Sequence, residues 1–254
     1  MCYDIKASLE AQLKRALRRG DEEAAAQIRE ELLPHTDLPL FHASGFSHPR
    51  LLIYTDDDPD YPVVATWGLV PHWVHDAQQQ QKLWNQTLNA RGETIFEKPS
   101  FRRSAESNRC LLYVDGFYEH HHHGGHTYPY YIHRKDGQPM ALACLYSDWS
   151  NPAGGPPMTT FSIVTTEGNK MLARIHNNPK LPGPRMPLIL PDELADQWLE
   201  PLHDARDRSE LETLIRPYPE QELASHTVAR LRGKEYPGNV PEISEPVAYP
   251  ELDG

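Results

Sequence analysis

Cys2 directly follows the initiator Met1, and an initiator Met is usually trimmed before a small residue. Trimming leaves Cys2 with a free α-amine and a thiol on one residue, a 1,2-aminothiol. Such a pair condenses with an aldehyde to an imine, and the sulfur then closes a thiazolidine ring. The amine titrates near ~7.7–8.0 and the thiol near ~8.5, so both are partly nucleophilic at neutral pH. A cysteine at position 2 carries little weight alone; its meaning depends on which other groups converge on it. Glu119 ends the apolar run 111–118, where a desolvated carboxyl rises in pKa and suits proton transfer. His176 follows the apolar stretch 171–175 and can act near neutrality as an acid or base. Asn89 and Arg91 share an Asn-Ala-Arg segment, in which an amide can orient a sugar oxygen and a guanidinium can hold a phosphate. Trp67 and Trp73 can offer flat ring faces to unstacked bases. Each has a plainer alternative: a rim carboxylate, a helix-end histidine facing the dipole, and two core tryptophans.

Histidines 120–123 and His126 resemble a metal site, but consecutive residues cannot all face one ion. No Cys or acidic partner stands at ligand spacing, so no metal and no cofactor is expected. The chain contains no P-loop, GxGxxG, HExxH or GxSxG motif. The acidic run 56–60 reads as a hairpin tip.

These residues come from distant segments, so the elements between them decide whether they meet. The chain has 254 residues, 39% of them hydrophobic, which suits one large domain. Its 24 Pro imply many loops, and no apolar run approaches the ~20 residues of a membrane span. Three scattered cysteines, Cys2, Cys110 and Cys144, make no disulfide framework, and a reducing cytoplasm is the expected compartment. The net charge of −11 argues against a general nucleic-acid coat. The acidity is concentrated after position 191, with 15 acidic and 6 basic residues from Asp192 onward. Residues 168–190 carry 4 basic and no acidic side chains, and 82–110 carry 6 basic against 3 acidic.

Residues 5–33 read as a helical hairpin. Ile5, Leu9, Leu13 and Leu17 form its stripe, Gly20 its stop and Asp21 the cap of its second helix. Strands are expected at 51–54, 63–69, 111–119, 158–165 and 186–190. After 119 a His- and Gly-rich loop is expected. Strands 128–134 and 139–146 look like a hairpin joined by Lys135-Asp136-Gly137. Short helices are expected from about 92 to 97, from Thr166 to Arg174, after Pro191 and over 208–215. The segment 236–254, with Pro237, Pro241, Pro246 and Pro250, reads as a loosely packed tail beyond a domain of 1–235. Strands and helices interleave without a βαβ rhythm, which favours an α+β fold on a curved antiparallel sheet.

Five blocks occur in a specific order: Met1-Cys2; Trp67-Gly68-Leu69-Val70-Pro71-His72-Trp73; Asn89-Ala90-Arg91-Gly92-Glu93-Thr94; residues 110–119, Cys-Leu-Leu-Tyr-Val-Asp-Gly-Phe-Tyr-Glu; and Ile175-His176 with Arg185-Met186-Pro187. The set resembles the SRAP family, the SOS response-associated peptidases. The resemblance implies an α+β domain built on a curved β pseudo-barrel with peripheral helices, to which the 5–33 hairpin is an insertion. It also implies covalent capture of abasic sites in single-stranded DNA, as a thiazolidine on the N-terminal Cys. By the same resemblance Cys2 is the nucleophile and Asn89, Glu119 and His176 complete the active site. Arg91 and Arg185 would contact DNA, with Trp67 and Trp73 near the groove, in a monomer without membrane contact. Two other functions fit the same residues: a thiol autopeptidase releasing what precedes Cys2, and a non-covalent single-stranded DNA-binding module. The sequence departs from the family in starting Cys2-Tyr3-Asp4-Ile5 rather than Cys-Gly-Arg-Phe, which removes a basic residue beside the nucleophile. It also places residues 177–184 between His176 and Arg185.

Overall fold

A computed structural model describes residues 2–252 apart from Arg19, Asp21, Pro152, Ala153 and Gly155, so the expected Asp21 cap lies outside the described residues. The strands are β1 (Asp4–Ala7), β2 (Leu40–Ser44), β3 (Arg50–Thr55), β4 (Val63–Trp67), β5 (Asn89–Arg91), β6 (Arg109–Val114), β7 (Gly116–His123), β8 (His126–Arg134), β9 (Met140–Trp149), β10 (Met158–Glu167), β11 (Arg185–Pro187), β12 (Ile189–Leu190) and β13 (Leu223–Thr227). The helices are α1 (Leu9–Arg18), α2 (Glu22–Gln27), α3 (Ala77–Trp84), α4 (Arg102–Ser107), α5 (Lys170–Ile175) and α6 (Ala205–Glu212). Among the described residues no helix is long and apolar enough to cross a membrane.

Five strands close on themselves. β10 runs parallel to β4, and antiparallel pairs β4–β3, β3–β6, β6–β9 and β9–β10 complete the ring. Closure leaves these strands without a free edge. β5 and β11 attach to β10, and β12 attaches to β9. A second sheet, ordered β13-β8-β7-β1-β2, lies beside the barrel. The α+β pseudo-barrel expected from the sequence is therefore present, with one parallel pair in it.

Strand alternation sorts the core into an inside and an outside. Leu51, Ile53, Leu112, Leu142, Cys144, Phe161 and Ile163 share one cluster with Cys2, Ile5, Phe117 and Ile132, so the second sheet seals the barrel interior. Their neighbours Tyr54, Leu111, Ala143, Leu145 and Val164 point outward and are covered by Trp198 and Leu211. Leu52 also points outward, under Leu13, Ala16, Ala25 and Ile28 of the N-terminal helices. Burying each Leu, Ile, Val or Phe among them stabilises by roughly 1.5–3 kcal/mol.

Several local expectations are corrected. Ile5 belongs not to the helical hairpin but to β1, opposite Ala43 and Phe117; the helix starts at Leu9, and Leu17 is exposed. Gly20 does turn the chain, at φ +71°. The run 111–119 is not one strand. It breaks at Asp115, whose carboxylate accepts from the Ser8 hydroxyl at 2.8 Å, and the two halves enter different sheets. The expected 128–146 hairpin is likewise split. β8 pairs with β7 and β13, and β9 with β6, β10 and β12, because long cross-strand registers outweigh one local turn. The histidine run is strand rather than loop: β7 continues to His123 and turns through Gly124 and Gly125, both at positive φ.

The short helix expected over 92–97 is a single turn, Gly92–Thr94. Thr166 lies within β10; Asn169 caps α5 instead, accepting from the Leu172 amide at 2.9 Å. After Pro191 there is only a short turn, Asp196–Leu199, and the expected 208–215 helix is α6. The C-terminal stretch is not loose: Ile243 is fully buried against Tyr118, Tyr131 and Val228, and the Tyr249 hydroxyl donates to the Val228 carbonyl at 2.8 Å.

Gly116 starts β7 at the corner between the two sheets. A Cβ there would collide with the Ile132 carbonyl oxygen and the Tyr131 ring. Gly116→Ala is expected to lower stability by about 1–3 kcal/mol, read as a shift in the urea midpoint.

Candidate functional site

Cys2 lies just ahead of β1. Asp4 stands opposite Tyr118 on β7, so the chain before it runs beside Glu119 and His120. The side chain is fully buried in the barrel interior. Burial, and then the nearby Glu119 carboxylate, hold the thiol well above its usual pKa. A thiol there is protonated at pH 7, so it needs a base before it can attack.

Glu119 is the fourth residue of β7, and its side chain is only 9% exposed. Desolvation by burial raises its carboxyl from 4.5 to about 7. His176 stands where α5 ends. Its backbone N–H donates to the Leu172 carbonyl at 2.7 Å, closing the last turn. The ring Nδ1 lies 3.7 Å from Glu119 Oε1 and donates to the Arg185 carbonyl at 3.1 Å. Burial lowers the imidazole from 6.5 to about 4. Near pH 7 the pair thus consists of a neutral imidazole beside a half-protonated carboxyl. Residues 177–184 loop out and return the Arg185 backbone to the His176 ring, so the added segment does not separate them.

Asn89 approaches from the other side of the barrel. It pairs with Ile163, which pairs in turn with Cys144. The neighbouring row, Ala90, Val164 and Ala143, belongs to the outer cluster. Alternation therefore puts Asn89 on the inward face, with Cys2 and Cys144. Both polar atoms of its amide are buried and have no hydrogen-bond partner among the described residues. An unsatisfied buried group costs about 1–3 kcal/mol, a cost that a ligand hydrogen-bonding to this amide would relieve.

Glu119 and His176 open onto a cavity of about 500 Å³, within the range of small-ligand sites. Tyr3, Asp4, Arg230 and Arg232 also line it. Among the described residues, no group of three or more His, Cys, Asp or Glu is arranged to hold a metal ion. Along β7 successive histidines point to opposite faces of the strand.

The other expected contacts are placed less uniformly. Arg91 is exposed and borders a cavity of about 280 Å³ with Arg185 and Gly168. The fork of Arg185 is already filled: its two terminal nitrogens donate to Glu93 at 2.8 Å each, and one also donates to the Thr165 carbonyl. Trp67 cannot serve as a stacking platform. It is fully buried, stacked on Phe161, and its indole N–H donates to the Leu88 carbonyl at 2.8 Å. Trp73 is half-buried, donating to the Pro99 carbonyl at 3.2 Å. Asp4, Arg230 and Arg232 were missed by sequence reasoning. The available signal was the alternating basic run Arg230, Arg232, Lys234 inside an otherwise acidic segment.

Comparison with known proteins identifies the company this arrangement keeps. The family model for SOS response associated peptidases (SRAP) matches residues 1–234. The abasic site processing protein YoqW of Bacillus subtilis (strain 168) is 36% identical over 226 residues, 85% of this chain and 94% of that protein. The abasic site processing protein HMCES of Gallus gallus is 28% identical over 257 residues, covering 90% of this chain and 73% of that one. A crystal structure of a Bacteroides thetaiotaomicron protein superposes with a TM-score of 0.81 at 30% identity, covering 97% of this chain and all of that one.

Proposed function

This chain belongs to the SRAP family, and on that premise we propose that it processes abasic sites in single-stranded DNA by forming a thiazolidine through Cys2. The observation that carries the reading is Cys2 buried beside Glu119, whose carboxyl is raised to about 7 and lines a cavity able to take a sugar. With Met1 removed, the Cys2 amine adds to the aldehyde of the ring-opened abasic sugar and gives a carbinolamine. Glu119, as the acid, donates a proton to the leaving hydroxyl; water departs and an iminium remains. The Glu119 carboxylate then takes the thiol proton, sulfur adds to the iminium carbon, and the ring closes. One aldehyde and one aminothiol become one thiazolidine and one water. His176, neutral here, packs beside the carboxyl and helps keep it out of water, and Asn89 supplies an amide for the sugar or for Cys2.

Intact mass of the purified full chain, with and without an abasic single-stranded oligonucleotide, tests this. The expected species lacks Met1 and gains the oligonucleotide mass less one water, stable to heat. A chain that keeps Met1 and gains no mass would overturn the proposal. Loss of Met1 from the isolated chain over time, dependent on Cys2, would identify the peptidase activity instead.

The two arginines should separate in a salt titration. Each phosphate contact on single-stranded DNA contributes about 0.7 to the slope of log affinity against log salt. Arg91→Ala is expected to remove about that much. Arg185→Ala should remove less, because Glu93 occupies its guanidinium. Fluorescence anisotropy across salt concentrations measures both. Equal losses would show that Glu93 yields to DNA.

A further inference from the structure

Two arginines reach the Glu119–His176 cavity from the segment after β13, and they are held differently. The Arg230 guanidinium lies 5.0 Å from the centroids of both Tyr128 and Tyr249, and it donates to the Thr127 carbonyl. It is fixed by its surroundings. Arg232 Nη2 donates to Asp4 Oδ2 at 3.0 Å, yet 59% of its side chain stays exposed. The Asp4 carboxylate is itself only 4% exposed. Its other oxygen accepts from His42 Nε2 at 3.1 Å, and His42 Nδ1 accepts from the Tyr236 hydroxyl at 2.8 Å. A buried, doubly bonded carboxylate two residues from Cys2 therefore grips part of a guanidinium whose remainder faces solvent.

A guanidinium carries five N–H donors in one plane, and the Asp4 contact leaves most of them unused. The pair is lopsided: the acid is buried, whereas most of the cation remains in solvent, free to meet a second anion. Arg232 also lines a second cavity of about 640 Å³, beside His42 and Tyr236. The cation thus stands where one cavity meets the next, the position of a backbone phosphate linking a sugar in the first to its neighbour. Planar, charge-assisted contacts of this kind suit phosphate oxygens.

Resting on the thiazolidine reading above, we propose that Arg232 binds the phosphate flanking the captured sugar, with Asp4 as its positioning residue. The chain has an acid at position 4, where the family resemblance implies a base beside the nucleophile. The cation is restored from the far end of the domain and held by that same acid.

Two small aldehydes test this on the full chain with Met1 removed: 2-deoxyribose, and 2-deoxyribose 5-phosphate. Adduct formation is followed by intact mass. Wild type is expected to react about tenfold faster with the phosphorylated sugar, the gain of one charge-assisted contact. In Arg232→Ala the ratio of the two rates should fall toward one. Arg232→Lys should recover part of it, since the charge remains but the fork is lost. Asp4→Asn should give an intermediate ratio. A wild-type ratio retained in Arg232→Ala, or a slowing equal for both sugars, would overturn the assignment while leaving Cys2 chemistry intact. Wild type forming no adduct with either sugar would overturn the Cys2 reading, and this one with it.

Discussion

Cys2→Ala is expected to abolish the heat-stable adduct completely, the largest effect of any single substitution in this chain. Ring closure needs an amine and a thiol on one residue. Cys110 and Cys144 are also buried in the core, but their nitrogens are locked in peptide bonds, so neither can replace Cys2. Cys144→Ala should accordingly keep the adduct, although its thiol lies close enough to add to the field at Cys2. Cys2→Ser separates the two steps. It keeps the amine, so an imine forms that borohydride can trap, while the hydroxyl closes a far weaker ring. The measurement is gel shift or intact mass after heating, with and without borohydride. A wild-type yield of heat-stable adduct from Cys2→Ala would remove the thiazolidine, whatever else the protein does to DNA.

What the sequence revealed, and what it concealed, follows from the range of the interactions involved. Glu119 and His176 were visible because each follows an apolar run in the sequence; His176 does end its helix, whereas Glu119 sits mid-strand in β7 and is buried there. Their 3.7 Å approach was less visible, since it depends on how α5 docks on β7. The α+β class was legible from strands and helices interleaved without a βαβ rhythm, and the barrel only through the family resemblance. Its closure was not, because it rests on β10 meeting both β4 and β9. The Lys135-Asp136-Gly137 turn misled for the same reason: turn chemistry is local, while strand partners are chosen over the whole chain. Trp67 misled differently. Its motif lies at a strand end, where one residue of register decides between core and surface, and its indole N–H found a buried carbonyl. The Asp4–Arg232 contact spans 228 positions, beyond any periodicity or spacing argument.

Glu119→Gln is expected to slow crosslinking by about 100-fold or more, the usual loss when a general acid–base is removed. The sequence suggested that histidine and carboxyl would bracket neutrality together. The proposed mechanism divides the work otherwise. His176, lowered to about 4, carries almost no proton at pH 7, so the role of acid is assigned to Glu119, raised to about 7. Wild-type rates should therefore fall as pH rises above about 7 and the acid form is lost. In Glu119→Gln that inflection should disappear. The same shift predicts a stability change with a definite sign. The carboxyl pKa is raised on folding, so the stabilisation tied to its protonated form is complete below 4.5 and is lost as pH rises through about 7. The buried charge then costs the fold roughly 3 kcal/mol, the equivalent of the shift. Glutamine, which never ionises, should make the protein more stable than wild type above pH 7 and give no such gain below pH 4.5. His176 acts at the other end, since its lowered pKa removes stability as pH falls from 6.5 toward 4. Urea midpoints and crosslinking rates, both measured from pH 4 to 9, test the two halves separately. An unchanged rate profile would take Glu119 out of the chemistry. An unchanged stability profile would mean that the carboxyl ionises in the folded state as it does in water, and the proton it is proposed to lend would have to come from elsewhere.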